Sequence, residues 1–319
     1  MSVPWRRYRV WFALPVAGAL AVLLLVGVRG PEGQLRSQPP ATPKSERPRP
    51  VKVAAVQCSS GLGEVEANRK KLAALVKEAA GAGAKIIVLP ETAVTGYLSQ
   101  DLKTNWHLKG WPIEPAFQGK DPLPFAEPVP GPSTKFFCEL AKQLQVYLTI
   151  PLLEVEKDRE KFRLYNTVCL ASPKGELVAH YRKLTPWPHP EQSWATPGDR
   201  GVQTYDSEYG RLGLAICFDI HTILEKYEPH KIWALLYPIA WVDRTHPAEW
   251  FWHRLPARVA PFKHYVIGAN WSVDQPQSWY GYGFSVILSP EGKVLASAKS
   301  LYGSEIVYAT LPTAWAAEK

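Results

Sequence analysis

Residues 51–91 read VKVAAVQCSSGLGEVEANRKKLAALVKEAAGAGAKIIVLPE. The apolar run Val51–Gln57 is followed by a turn at Ser59-Ser60-Gly61, by apolar positions at helical spacing over about 64–80, and by a second apolar run at 85–90. Strand, helix and strand joined by short turns is a parallel crossover: parallel strands cannot be linked by a hairpin, and an amphipathic helix supplies the return path. The second run ends on Glu91, a carboxylate where a buried strand emerges.

Further along, a Pro-, Gly- and Trp-rich stretch at about 105–132 leads to a helical pattern at 133–145 and then to VYLTIPLLEV at 146–155. NTVCLASPKGELVAHY at 166–181 carries the Pro-Lys-Gly turn of a hairpin. RLGLAIC (211–217), IWALLYP (232–238), HYVIGAN (264–270), FSVILSPEGKVLAS (284–297) and EIVYAT (305–310) predict further strands, with a helix over about 248–262 interrupted by Pro256 and Pro261. About ten strands with few long helices indicate one large layered α/β structure, sheets inside and helices outside. Strands that end on one polar residue, such as Glu91, Cys217 and Asn270, are what a pocket at sheet edges requires.

The 319 residues are 46% hydrophobic and include 13 Trp, 14 Tyr and 10 Phe, which excludes a mostly disordered chain. Four Cys are too few for a disulfide framework. The net charge of +8 is lopsided: residues 1–50 hold eight basic and two acidic residues, leaving only +2 for the remainder. A near-neutral body argues against a nucleic-acid footprint.

Residues 10–28, VWFALPVAGALAVLLLVGV, are nineteen uncharged positions preceded by Arg6, Arg7 and Arg9. A helix needs about 20 apolar residues to span a bilayer. The run therefore reads as one transmembrane signal-anchor, with 1–9 a basic flank kept in the cytoplasm and the chain beyond the span sent across. No Ala-x-Ala site comes after it, and Pro31 stands directly behind Gly30, which disfavours cleavage. The body is thus expected to be membrane-anchored and extracytoplasmic, or secreted if the segment is cut. Residues 29–50 form a Pro-rich linker, and the folded domain is expected over 51–319.

Four side chains invite a chemical reading. A thiol at Cys217 is either a small core hydrophobe or a nucleophile at a strand end. Glu91 is a solvated terminus, a helix cap or a proton acceptor in a dry pocket. Lys183, after the strand VAHY, is a surface amine or an oxyanion-stabilising cation. Glu191 stands eight residues later, and spacing alone gives it no role. No Cys-x-x-Cys or His-Glu-x-x-His occurs to suggest a metal, no Gly-rich phosphate loop to suggest a nucleotide cofactor, and no Gly-x-Ser-x-Gly elbow to suggest a serine hydrolase.

Taken together, Leu89-Pro90-Glu91-Thr92, His180-Tyr181-Arg182-Lys183 and Ile216-Cys217-Phe218-Asp219, in this order, resemble the signatures of the nitrilase or carbon-nitrogen hydrolase superfamily. The resemblance spans roughly residues 51–312, and the opening VKVAAVQ and the helix carrying Asn68 agree with it. It implies a four-layer α-β-β-α sandwich, a Glu91, Lys183 and Cys217 triad, Glu191 as an additional glutamate, no cofactor and pairing into a homodimer. Tyr237-Pro238-Ile239-Ala240-Trp241 and Gly268-Ala269-Asn270 resemble the pantetheinase and biotinidase branch. The segment 181–191 instead resembles aliphatic amidases, and vertebrate pantetheinases carry an additional C-terminal domain where this sequence stops at Lys319.

The triad implies hydrolysis of a non-peptide amide to a carboxylic acid plus ammonia or an amine. Glu91 takes the Cys217 proton, Lys183 and the Phe218 backbone N–H meet the oxyanion, and water opens the thioester. Glu191 would hold Lys183. Tyr97, Trp187, Phe218, Trp241, Asn270, Trp271 and Phe284 are the candidate pocket residues for a small amide substrate. Acyl transfer to a second amine, nitrile hydrolysis and a non-catalytic binding role are the alternatives. Asn270-Trp271-Ser272 also matches a glycosylation sequon.

Overall fold

The computed structural model describes residues 50–98, 121–188, 191–243, 246–275 and 281–314. The candidate span at 10–28, its flank and the linker as far as residue 49 lie outside these. Among the described residues no helix is long and apolar enough to cross a membrane.

The strands are β1 (Val51–Gln57), β2 (Ile86–Val88), β3 (Tyr147–Asp158), β4 (Lys161–Ala171), β5 (Leu177–Arg182), β6 (Thr204–Ser207), β7 (Gly210–Leu214), β8 (Ala234–Ile239), β9 (Tyr265–Asn270), β10 (Val286–Leu288), β11 (Val294–Ser297) and β12 (Glu305–Leu311). The helices are α1 (Val65–Gly81), α2 (Pro132–Leu144), α3 (Leu224–Tyr227) and α4 (Leu255–Val259). The strands form two six-stranded sheets, ordered β12-β1-β2-β3-β4-β5 and β11-β10-β9-β8-β7-β6. Parallel pairing joins β1, β2 and β3 in the first and β7, β8 and β9 in the second; the outer strands pair antiparallel.

Alternation along the strands sorts the layers. In β1 and β2, Val53, Ala55, Ile86 and Val88 share an apolar cluster with Leu214, Leu235, Tyr237 and Ile267 of the second sheet. The intervening Ala54, Val56 and Ile87 pack instead with Leu72 and Val76 of α1 and Phe137 and Ala141 of α2. On the second sheet, α3 lies so close that a Cβ at Gly213 would stand 3.0 Å from the Tyr227 ring. The Tyr227 hydroxyl also accepts the Leu214 N–H. Each central strand is buried on both sides, which is why it reads as a continuous apolar run rather than an alternating one.

Two local differences from the sequence expectation have physical causes. β6 (Thr-Tyr-Asp-Ser) is a four-residue edge strand of polar character and carries no hydropathic signal. The helix expected over about 248–262 is three short pieces: a π-helical stretch at Glu249–Arg254, then α4, then a 3₁₀ turn at Ala260–Phe262. Pro256 and Pro261 have no N–H to donate and so break the ladder.

Candidate functional site

Glu91 and Cys217 occupy equivalent places in the two sheets, each three residues past the carboxyl end of a central parallel strand, β2 and β7 respectively. Crevices beyond such strand ends are where open α/β sheets collect ligands. The first sheet supplies Glu91, Asn166 on β4 and Lys183 directly after β5; the second supplies Cys217. The Glu91 N–H donates to the Ile239 carbonyl of β8 at 3.3 Å, so the carboxylate turn is tied to the facing sheet.

Cys217 adopts a φ of 41°, in the left-handed region that costs an L-residue about 1–2 kcal/mol. A hydrogen-bonded brace fixes the turn. Asp219 Oδ2 accepts from the Ile216 N–H (3.2 Å) and the Tyr181 hydroxyl (2.6 Å), and Oδ1 accepts from the Thr185 N–H (2.8 Å). The Tyr237 hydroxyl donates to the Cys217 carbonyl at 2.7 Å. Burial pushes the Asp219 carboxyl up to about 6. The following residue, Phe218, lies in the first turn of the short helix Cys217–His221, where an N–H has no intrahelical acceptor.

Lys183 Nζ stands 2.7 Å from Glu91 Oε1 and 2.5 Å from Glu191 Oε2, and all three side chains are buried. Its backbone N–H donates to the Asn166 carbonyl at 2.8 Å, which brings the two residues side by side. Asn166 Nδ2 then donates to both carboxyl groups, at 2.7 Å to Glu91 Oε1 and 2.5 Å to Glu191 Oε1. Glu191 accepts further bonds from the Trp187 N–H (2.5 Å) and the Tyr97 hydroxyl. Glu91 Oε2 has no partner among the described residues.

Two carboxyl groups and one ammonium in a dry pocket do not ionise independently. Burial drives the Glu91 carboxyl up to about 7, against the pull of Lys183 and with the help of Glu191. Burial acts against the Lys183 ammonium as well, but Glu191 and Glu91 outweigh it and hold its pKa above the ordinary range. Burial, and after it the charge of Glu91, keeps the Cys217 thiol well above its ordinary value, with Lys183 and the Ala240 N–H pulling the other way. The resting sulfur is therefore a thiol that needs a base, and Glu91 is a carboxyl poised to exchange a proton near neutrality. Cys58, Cys138 and Cys169 are also free and buried, and burial is the largest cause of the raised value of each; Lys71 and Asp274 act on Cys58, and Glu154, Arg200 and Arg182 on Cys169. No group of three or more His, Cys, Asp or Glu arranged to hold a metal occurs among the described residues.

The candidate pocket residues divide. Tyr97 touches Trp271 (ring centroids 5.7 Å apart), and both share a buried cluster with Tyr282 against which Trp187 packs. Trp241 stacks on Trp250 at 3.9 Å and 12°, and the His221 ring touches Trp241, Trp250 and Phe218, so this cluster borders the cysteine turn. Asn270 is fully buried, and its amide is engaged by the Trp241 N–H and by the carbonyls of Gly281 and Gly283. It ties three backbone segments together, and a glycosyl group has no access to it in the folded chain. Phe284 packs against His246 and against Trp252 of the π-helical stretch.

Asn166 escapes the sequence reading, and Asp219 and Tyr237 stand in its motifs without a role. For Asn166 a signal exists: an amide between Tyr165 and Thr167 in a buried strand is unfavourable unless something there requires hydrogen bonds.

The chain matches the carbon-nitrogen hydrolase family over residues 52–318. It is 32% identical over 245 residues to omega-amidase NIT2 of Homo sapiens, covering 72% of this chain and 78% of that one. It is 30% identical over 259 residues to omega-amidase NIT2 of Danio rerio, covering 76% and 82%. Among solved structures, Nit3 of Saccharomyces cerevisiae, a member of the nitrilase superfamily, superposes with a TM-score of 0.64 at 26% identity, over 85% of this chain and 93% of that one. An amidase from Nesterenkonia sp. shares the fold with a TM-score of 0.65 at 17% identity, over 84% and 93%. With this sandwich and these matches, the chain belongs to the carbon-nitrogen hydrolase family of the nitrilase superfamily and is an enzyme of the amidase type.

Proposed function

We propose that the chain hydrolyses the C–N bond of a small non-peptide amide through a thioester on Cys217, releasing a carboxylic acid and ammonia or an amine. The observation that carries this reading is the buried Lys183 held between Glu91 and Glu191 at hydrogen-bond distance, with Cys217 in the same electrostatic neighbourhood. Glu91 removes the thiol proton as sulfur attacks the carbonyl carbon. The oxygen, now anionic, is met by the Lys183 ammonium and the Phe218 N–H, donors worth about 2.7–4 kcal/mol each in comparable sites. Glu91 passes its proton to the leaving nitrogen, the C–N bond breaks, and Glu91 then deprotonates the water that opens the thioester. Glu191 fixes Lys183; Tyr97, Trp187, Trp241 and Trp271 are taken as pocket walls, and Asn270 as the residue that holds Trp241.

The relatives' description as omega-amidases supports a side-chain-type amide, in which the nitrogen leaves as ammonia from a short acyl chain, as the substrate class. The anchor at 10–28 would place this activity on the extracytoplasmic side of a membrane. The test is incubation of the full chain and of Cys217→Ala with ω-amides, short aliphatic amides, pantetheine and biotinyl-lysine, reading product masses with and without an added amine acceptor. Acid release that requires Cys217 supports hydrolysis. An acylated amine as sole product assigns acyl transfer instead, and absence of any Cys217-dependent product from a folded chain overturns the reading.

A further inference from the structure

We infer that Asn166 is a positioning residue that sets where the shared proton of the site resides, by tying one oxygen of each carboxyl group to a single amide nitrogen. The inference deepens the reading of Glu91 as base and rests on it. The Asn166 amide presents its nitrogen to both carboxyl groups, the end that suits ionised oxygens, since nitrogen donates and a carboxylate accepts. Both Nδ2 hydrogens are used, at 2.7 Å to Glu91 Oε1 and 2.5 Å to Glu191 Oε1. The opposite end, Asn166 Oδ1, is buried with no partner among the described residues. An orphaned acceptor in a strand core is tolerated where the other end of the group serves a function.

The donors are distributed unequally. Lys183, Asn166, the Trp187 N–H and the Tyr97 hydroxyl all reach Glu191. Glu91 receives Lys183 and Asn166 on the same oxygen, Oε1, and nothing among the described residues on Oε2. One oxygen of Glu91 is thus pinned and the other left to take and give the proton. The remaining titratable neighbours of this cluster are Cys217, Tyr97 and Tyr237, with Asp219 acting on Lys183. Asn166 donates to the charged form of Glu91 and holds its carboxyl down against burial. Without the amide the base is harder to ionise, and Glu91 is free to rotate Oε1 out of register.

The test uses the full chain as wild type, Glu91→Gln, Asn166→Leu and Asn166→Asp, with two readouts over pH 5–9: kcat/KM for an amide, and the rate of iodoacetamide alkylation at Cys217, which needs no substrate. In wild type the alkylation rate is expected to rise through a midpoint near 7 that Glu91→Gln abolishes. In Asn166→Leu the same midpoint is expected to move up by about one pH unit, and further in Asn166→Asp, where a third acid joins the pair. A filler of a merely structural kind would lower the melting temperature and leave the midpoint in place. A midpoint within about 0.3 unit of wild type in both folded Asn166 variants overturns the inference alone. A wild-type profile with no limb sensitive to Glu91→Gln overturns the assignment of Glu91 as base, and this inference with it.

Discussion

Replacing Lys183 by Met tests the electrostatic account of the site through stability rather than rate. The substitution keeps an unbranched stem of similar length and removes the ammonium that faces Glu91 and Glu191 at 2.7 and 2.5 Å. In the native site Glu91 is already raised from 4.5 to about 7. Without Lys183 the carboxyl pair escapes repulsion in a dry pocket only by binding a further proton. Glu91 already holds part of one proton at pH 7, so the added cost is that of protonating the second carboxyl: about 1.4 kcal/mol per unit above an unfolded value near 4.5, or about 3.4 kcal/mol. That agrees with the ~3–5 kcal/mol typical of removing one partner from a buried ion pair. The sign comes from linkage: an acid with a raised folded value is fully stable only below its unfolded value, so the deficit grows from about pH 4.5 upward. Urea unfolding followed by tryptophan fluorescence is expected to show Lys183→Met about 3 kcal/mol less stable than wild type at pH 7 and about 1 kcal/mol less stable at pH 5. Adding Glu91→Gln is expected to restore part of the loss. A deficit below about 1 kcal/mol at pH 7, or one unchanged between pH 7 and pH 5, refutes the reasoning.

Glu91→Gln is expected to lower kcat by about 10²–10⁴-fold with little change in KM, and kcat/KM of the wild type is expected to rise with pH through about 7 as the base ionises; a steady-state pH series checks both. Glu154 behaves in the opposite sense. Although burial pushes its carboxyl up, hydrogen bonds from His180 and Arg182 outweigh this and hold it near 2, so its contribution of about 3 kcal/mol is present above about pH 4.5 and lost as pH falls toward 2. Acid unfolding of Glu154→Gln should be correspondingly less steep than that of wild type. Phe137→Ala, which empties a fully buried position between α2 and the first sheet, is expected to cost about 3–5 kcal/mol in urea unfolding while leaving kcat of the folded fraction unchanged.

Much of the sandwich is legible because its central strands are buried on both faces and cannot be mistaken for alternating surface strands: β1, β2, β8 and β9 are visible as apolar runs. β6 is invisible for the converse reason, since an edge strand meets solvent and imposes no pattern. The polar side chains at strand ends are legible too, because a charged or thiol group terminating an apolar run is conspicuous. What one dimension hides is convergence. Tyr237 reaches the cysteine turn from β8, and nothing in its local sequence says that its Oη will meet the Cys217 carbonyl, nor does the sequence around Asp219 say that it will collect the Tyr181 hydroxyl and the Thr185 N–H. Asn270 shows the limit from the other side: a polar residue at a strand end is also what a backbone tie looks like.

The division of the site between the two sheets has a consequence for the life of the chain before it is folded. Carboxylates and ammonium belong to one half of the sandwich and the thiol to the other, joined by contacts such as the Glu91 N–H on the Ile239 carbonyl. Until the halves dock, Cys217 is an ordinary protonated thiol without a base, and no segment carries a competent nucleophile. Reactivity therefore requires the two sheets to be packed together, so a chain in which they are apart cannot activate Cys217. Any perturbation that parts the sheets should then abolish activity even where each sheet keeps its own ladder.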